Sequence, residues 1–279
     1  MGISMKKLVL LIMLICVFVC GCKANNEENY LDKSLLAVQD KGYLVIGIDD
    51  AFAPMGFIDK DTGELIGFDI DVSKEVCTRL GLEAKYQPIN WSTKEMELEN
   101  GNIDCIWNGM GKTDELSKAM NLSKPYMKNN QCVLVRNDSG YKTMDDIKGK
   151  ILCVQTDSSA EHAIDKNLSF KNSFKSIIDV DTYTKAILEI NNKTVDCIAI
   201  DEVVARYYMN NFPDTYRLIE NEDKTVLSLS SEEYVIGFRK NDNSLKLKIE
   251  EILSDMQEDG SLAEISNKWF KEDITTIGK

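Results

Sequence analysis

Residues 101–116 read GNIDCIWNGMGKTDEL, and SKPY follows at residues 123–126. The apolar run at residues 103–107 predicts a short β-strand, which should end at residues 108–109. A polar turn comes next, and a helix is predicted to begin near residue 113 or 114. Because open α/β sheets bind ligands where strands end beside helix starts, this stretch predicts a ligand-binding edge of an α/β protein.

Strand-like and helical patterns alternate on both sides of this stretch. Strand-like runs lie at residues 44–48, 86–89, 131–135, 151–154, 195–200 and 233–238, and apolar residues recur at helical spacing between and after them. This alternation predicts two parallel-type α/β lobes. We predict that residues 40–130 and 232–279 form the first lobe and residues 131–231 the second. Since the chain crosses between the lobes twice, the hinge should consist of two strands.

The first 39 residues have the pattern of an export segment and a linker. Lys6 and Lys7 precede an apolar run at residues 8–19, which predicts a signal peptide over residues 1–21. The Gly-Cys junction at residues 21–22 resembles a bacterial lipobox, so Cys22 is the expected lipid attachment site; alternatively it is an ordinary residue after the signal. Residues 22–39 are polar and predict a flexible tether.

Charge and cysteine usage narrow the function classes further. The 279 residues carry 33 basic and 46 acidic side chains, a net charge of −13, which argues against nucleic acid as a partner. Three of the eight cysteines lie in the export segment. We interpret the other five, four of them in strand-like runs, as buried free thiols; a disulfide or a metal site is the alternative, although no C-x-x-C spacing supports zinc.

Polar residues stand at the ends of four predicted strands. They are Asp49, Asn108, Gln155 and Asp201, and the aromatic residues Phe52 and Trp91 also follow strand ends closely. Carboxylates, amides and aromatic faces together suit a cationic ligand, because carboxylates pair with an ammonium group and aromatic faces attract cations. The alternative is that the aromatic residues belong to the core and the acids cap helices.

The order G-x-I-D-x-I-W-N-G-M, T-x-E and S-x-P-Y within residues 101–126 resembles the polar amino-acid substrate-binding proteins of ABC importers, solute-binding protein family 3. The resemblance extends from about Lys41 to Asp273. It implies a two-lobed type II periplasmic binding fold and a monomeric, extracytoplasmic protein anchored to the cell membrane by lipid. The implied partners are a membrane permease and an amino acid or amine. No cofactor, metal or enzymatic activity is implied.

The resemblance also implies where the ligand binds, and it assigns the ligand's α-ammonium group to the aspartate at position 201. The implied binding residues are Asp49, Phe52, Trp91, Asn108, Gly109, Met110, Gly111, Leu116, Gln155, Ser158, Ser159 and Asp201. Asp157 stands where the family usually has glycine, so the backbone there should be reshaped.

Two positions depart from the family pattern G-[ML]-T-x-T-x-x-R. The threonine and arginine that hold the ligand's α-carboxylate in the family are replaced by Gly111 and Leu116. A buried carboxylate without its partner costs about 3 to 5 kcal/mol, so a standard amino acid should bind at least about a hundredfold less well. We therefore expect a ligand without a free α-carboxylate.

Several alternatives remain open at this point. Lys112 or Arg136 could replace the arginine and restore ordinary amino-acid binding. The chain could be a lipoprotein that binds no small molecule, or a sensor or adhesin that works without a transporter. An enzyme resembling the dehydratases that share this fold is the remaining alternative, and it would use Asp49 or Asp201 as acid or base.

Overall fold

The computed structural model describes residues 32–279, and the predicted signal peptide and Cys22 lie outside the described residues. Eleven α-helices lie in the described part of the chain, and we number them α1 to α11. They are Ser34–Lys41, Phe68–Leu80, Lys94–Glu99, Asp114–Ala119, Met144–Ile147, Ser159–Lys166, Leu168–Lys171, Tyr183–Asn191, Glu202–Asn211, Asn243–Glu258 and Ser261–Phe270. None of them, within residues 32–279, has the length and apolar character needed to cross a membrane.

Ten of the thirteen strands in the described residues form one large sheet, and β2, β3 and β4 form a small one. Strands β1 to β13 are Tyr43–Ile48, Ala51–Phe52, Gly56–Ile58, Leu65–Ile66, Glu83–Pro88, Cys105–Gly111, Asn121–Leu122, Met127–Arg136, Ile151–Gln155, Ser176–Val180, Cys197–Asp201, Tyr216–Leu218 and Ser230–Phe238. The order along the large sheet is β10-β9-β11-β8-β13-β6-β1-β5, with β12 on β8 and β7 on β13.

The two longest strands, β8 and β13, join the two halves of the large sheet. Their first halves pair with each other antiparallel, from Met127 opposite Tyr234 to Gln131 opposite Ser230. Beyond this segment, β8 pairs with β11 and β13 pairs with β6. The fold is thus the predicted two-lobed α/β architecture with two crossing strands. The predicted boundaries at residues 131 and 232 fall inside these strands, and where the lobes divide stays a prediction.

The five cysteines of the described residues are all buried and free. Burial raises the pKa of the Cys77 thiol and of the Cys153 thiol to about 12. These side chains therefore act as small apolar groups, as predicted; four of the five lie in strands and Cys77 lies in helix α2.

The predicted tether is wrong at its end, because residues 34–39 belong to helix α1. Val38 is buried at 1% exposure, and the Leu35 amide donates to the Ser244 hydroxyl of α10 over 3.1 Å. Gly42 ends the helix in the left-handed conformation. The polar composition of this segment concealed two apolar residues at helical spacing, and they are enough to dock a short helix.

The strand in the opening stretch is also longer than predicted. It was expected to end at residues 108–109, but β6 continues to Gly111 because Met110 and Gly111 pair with Val235 and Tyr234 of β13. The partner strand is distant in sequence and supplies the hydrogen bonds that extend the strand. Helix α4 begins at Asp114, as predicted, with the Thr113 hydroxyl accepting the Leu116 amide at 3.0 Å.

Gly67 provides a test of this fold. It has a φ of +148°, and a Cβ there would lie 2.2 Å from the Met55 carbonyl oxygen. We expect Gly67→Ala to lower the free energy of unfolding by more than about 2 kcal/mol in urea denaturation, because the neighbouring atom is backbone. Gly63→Ala is the matched control: its φ is +72° but the space around it is open, so about 1 kcal/mol is expected. Equal losses would contradict the steric explanation.

Candidate functional site

Asp201 is the last residue of β11 and immediately precedes helix α9, so its carboxylate lies at an edge of the large sheet. The side chain is buried and accepts four hydrogen bonds. Oδ1 accepts from Asn129 at 2.7 Å, Gln131 at 2.8 Å and the Tyr234 hydroxyl at 2.6 Å, and Oδ2 accepts from the Tyr183 hydroxyl at 2.9 Å. Donors from three other elements fix this carboxylate in place.

A second carboxylate, that of Glu232 on β13, lies beside Asp201. Its Oε1 accepts from the same two amides, from Asn129 at 2.6 Å and from Gln131 at 2.7 Å. Glu232 was absent from the predicted site, which was drawn from residues at strand ends and from the resemblance to the family. Strand β13 runs antiparallel to β6, so the start of β13 lies beside the end of β6, and Gly111 lies opposite Tyr234. This strand direction is the signal that could have identified Glu232.

The Glu232 carboxylate occupies the space that a side chain at position 111 would fill. A Cβ built on Gly111 would lie 2.0 Å from Glu232 Oε2 and 2.4 Å from the Ser159 hydroxyl. Any larger residue at position 111 is therefore incompatible with the present position of Glu232. The Glu232 carboxylate thus fills the space that is free because residue 111 is a glycine and not the threonine of the family pattern.

A cavity of about 100 Å³ lies in front of this region. Ten of the twelve predicted binding residues line it: Phe52, Trp91, Gly109, Met110, Gly111, Leu116, Gln155, Ser158, Ser159 and Asp201. Leu116 presents an apolar side chain, 8% exposed, that belongs to the same cluster as Trp91. The cavity therefore combines aromatic and aliphatic walls with the buried Asp201 carboxylate.

The other two predicted residues, Asp49 and Asn108, lie outside the cavity lining. Asn108 is buried in mid-strand, where its Oδ1 lies 2.5 Å from the position of a Cβ on Gly56, and its amide makes no hydrogen bond with the described residues. The Asp49 carboxylate accepts from Gln155 Nε2 at 2.7 Å. In this structure Asp49 thus contacts a cavity residue instead of the cavity itself.

Contacts between residues 49–52 on one side and Gln155, Tyr183 and Thr184 on the other close the cleft. Besides the Asp49–Gln155 hydrogen bond, the Thr184 hydroxyl donates to the Ala51 carbonyl at 3.2 Å. The rings of Phe52 and Tyr183 also pack, with centroids 5.5 Å apart. The structure therefore represents a closed form of the cleft.

A fourth contact across the cleft brings a cation to the cavity. Lys94, 2% exposed, forms an ion pair with the Asp157 carboxylate and lies 5.2 Å from the centroid of the Trp91 ring. His162 Nε2 lies 3.3 Å from Asp157 Oδ1, and this hydrogen bond raises the pKa of His162. Asp157 has a φ of +58°, a conformation that suits the glycine of the family pattern, so the φ angle does not show the expected reshaping of the backbone. Lys94 and His162 are the basic residues of the described cavity lining, and Asp157 contacts both.

The two cations considered from the sequence do not reach this cavity. Lys112 lines a separate, larger groove of about 1280 Å³, and Arg136 donates to Asp138 at 2.8 Å at the far end of β8. The larger groove contains none of the twelve predicted residues, although Glu232 lines it. The smaller cavity is thus the candidate site, since it collects residues from both halves of the sheet.

The buried acids predict how stability depends on pH. Burial and the adjacent Glu232 raise the pKa of Asp201 to about 8, and burial raises the pKa of Asp49 to about 6 and that of Asp69 to about 7. Because the folded protein retains these protons to higher pH than the unfolded chain, their stabilising contribution is complete below about pH 4 and is lost as the pH rises towards 8. We expect the melting temperature of the ligand-free protein to fall by several degrees between about pH 5.5 and 8.5.

Asp201→Asn provides the control for this pH dependence. The variant lacks one of the three titrating groups, so its melting temperature should fall less steeply over the same range. A wild-type melting temperature that is constant or rises from about pH 5.5 to 8.5 would contradict the assignment.

The curled α/β sheet, the two crossing strands and the closed cleft define a binding protein of the type II periplasmic binding fold. The chain belongs to the bacterial extracellular solute-binding proteins, family 3, whose family model matches residues 44–272.

Among its relatives, the L-cystine-binding protein TcyJ of Escherichia coli K12 is 28% identical over 255 residues, covering 89% of this chain and 90% of TcyJ. The histidine-bound substrate-binding protein of an ABC uptake transporter from Streptococcus pneumoniae is 37% identical. Their alignment covers 88% of this chain and 98% of that protein, with a TM-score of 0.81. The L-arginine-bound protein Tv2483 is 30% identical, covering 89% of this chain and 98% of that one, with a TM-score of 0.81. These relatives are amino-acid-binding proteins.

Proposed function

We propose that this protein is a lipid-anchored, extracytoplasmic solute-binding protein of an ABC importer, and that its ligand is an amine-bearing small molecule without a free α-carboxylate. The ligand is held in the cavity of about 100 Å³ between two lobes that close about β8 and β13. Family membership and the amino-acid-binding relatives support the class and the permease partner.

The observation that carries the choice of ligand is the Glu232 carboxylate, which lies directly behind Gly111 of the cavity wall. Glu232 and Leu116 stand where a carboxylate-binding site would need donors and a cation, and Asp157 neutralises Lys94. A free carboxylate placed there would be buried next to a like charge, which costs several kcal/mol. An ammonium group would instead find the buried Asp201 carboxylate and the Trp91 face.

A thermal-shift screen of the chain from Lys23 onward tests this function. It compares amino acids with their decarboxylated amines in matched pairs, namely arginine with agmatine, histidine with histamine and lysine with cadaverine, and adds quaternary ammonium compounds. A ligand at a hundred times its dissociation constant adds about 2.7 kcal/mol, which a melting curve resolves easily. We expect the amines to raise the melting temperature. If no compound of the panel does so, small-molecule binding is refuted.

Lys94 favours a second candidate ligand, an ordinary amino acid. If Asp157 moved away from Lys94, the freed ammonium group could bind an α-carboxylate in place of the missing arginine. The substitution Lys94→Met separates the two ligands, because it would abolish binding of an amino acid but leave binding of an amine largely intact.

The lipid anchor has its own test, in whole cells. Metabolic labelling with an alkyne fatty acid should label the wild-type protein and not the Cys22→Ser variant. Equal labelling of both would refute Cys22 as the attachment site.

A further inference from the structure

Glu232 lines the larger groove, and its carboxylate lies directly behind Gly111, a residue of the cavity wall. Its Oε1 is held by Asn129 and Gln131, but its Oε2 receives no hydrogen bond from the described residues and points at Gly111, which lines the cavity. Ser159, whose hydroxyl lies against the same point, also lines the cavity. A carboxylate oxygen with open acceptor capacity therefore stands at the wall that Gly111 leaves bare.

Two amide side chains of β8 hold the Glu232 carboxylate beside that of Asp201. Asn129 Nδ2 and Gln131 Nε2 each donate to both carboxylates, at 2.6 to 2.8 Å. The same amides thus hold two acidic side chains side by side, and neither acid forms an ion pair with another described residue. Gln131 adds a buried side-chain oxygen, Oε1, that has no hydrogen-bond partner in the described part of the chain. Two acidic side chains and a free hydrogen-bond acceptor together favour a ligand group that is positively charged and donates hydrogen bonds.

We propose that Asp201 and Glu232 bind one ammonium or guanidinium group together, and that this protein selects cations without a carboxylate, such as diamines and decarboxylated amino acids. This inference rests on the proposed function, and it adds Glu232 as a binding and specificity-determining residue. Coulombic attraction to two carboxylates strengthens binding of a cation, and the same charges repel an anionic group near Gly111.

The rest of the cavity suits the carbon chain of such a ligand. Phe52, Trp91, Met110 and Leu116 provide apolar and aromatic surface beside the acids. A methylene chain packs against these walls while its charged end reaches Asp201 and Glu232, so affinity for the cation does not require a second polar anchor.

Isothermal titration calorimetry with three matched pairs of ligands tests this inference: agmatine and arginine, histamine and histidine, cadaverine and lysine. The proteins are the wild type, Glu232→Gln and the matched control Glu233→Gln, which removes a charge from the next residue of the same strand. We expect the wild type to bind amines more tightly than the corresponding amino acids. Glu232→Gln should weaken the tightest-bound amine by about 10- to 100-fold and reduce its preference over the amino acid, whereas Glu233→Gln should change neither.

A further variant separates binding from folding. Glu232→Asp keeps the charge on a shorter side chain, so it should retain more amine affinity than Glu232→Gln at an equal melting temperature. Unchanged amine affinity in Glu232→Gln would refute the role of Glu232 and leave the proposed function standing. Tighter binding of a free L-amino acid than of its amine by the wild type would refute the ligand class while confirming a solute-binding protein. If none of the six compounds binds, both proposals fall.

Discussion

Combining Gly111→Thr, Leu116→Arg and Glu232→Ala should make this protein bind a free L-amino acid at least about a hundredfold more tightly than the wild type does. The first two changes restore the threonine and arginine that the family pattern has at these positions. The third removes the negative charge beside them. Each hydrogen bond to a charged group contributes about 1.5 to 3 kcal/mol, so two of them account for a factor of this size.

The double variant without the change at position 232 is the informative control. A threonine at position 111 would place its Cβ 2.0 Å from Glu232 Oε2, so the two side chains cannot both keep their positions. We expect the double variant to melt at a lower temperature and to gain much less affinity than the triple variant. Calorimetric titration with arginine and histidine measures both. If the double variant already binds an amino acid tightly, Glu232 does not determine the specificity.

Asp201→Asn should weaken binding of the tightest-bound amine by more than about a hundredfold. The substitution removes the buried carboxylate that would pair with the cation, and a buried charge left without its partner costs several kcal/mol because water does not screen it. Asparagine keeps a carbonyl oxygen in the position of Oδ1, which can still accept from Tyr234, Asn129 and Gln131. We therefore expect the variant to fold.

Titration of the Asp201→Asn protein, with Glu202→Gln as a control, measures this effect. Glu202 is the next residue in the chain but lies outside the small cavity and pairs with Arg206. Its substitution should change amine affinity less than threefold, on the order of 0.5 kcal/mol. A loss of similar size in both variants would indicate a general change in the field of the protein instead of a direct contact.

The sequence predicted which residues lie near the cavity more accurately than it predicted which of their side chains reach it. Asp201 and Gln155 were found because parallel strands place their ends at one edge of a sheet. Asn108 was chosen by the same rule, yet β6 continues past it to Gly111, and its side chain turns towards Gly56. Pairing with β13 decides this difference, and local sequence carries no information about that partner.

Glu232 and Lys94 illustrate what only the folded structure could add. Glu232 approaches the site from a strand that returns from far along the chain, and Lys94 reaches Asp157 across a cleft. Both interactions join residues that are more than 60 positions apart in the sequence. Lys94 and Asp157, for example, are separated by 63 positions. The spacing rules that predict helices and strands from periodicity act over a few residues and do not register such meetings.

The burial of all five cysteines in residues 32–279 makes the protein convenient for spectroscopic probes. Burial raises the pKa of Cys77, Cys153 and the other thiols, so they react slowly with alkylating dyes at neutral pH. Two cysteines introduced at exposed positions on either side of the cleft, such as Lys118 and Lys185, could therefore carry a fluorophore pair in an otherwise unaltered chain from Lys23 onward. The distance between the dyes would then follow opening and closing of the cleft in real time as each cation is added.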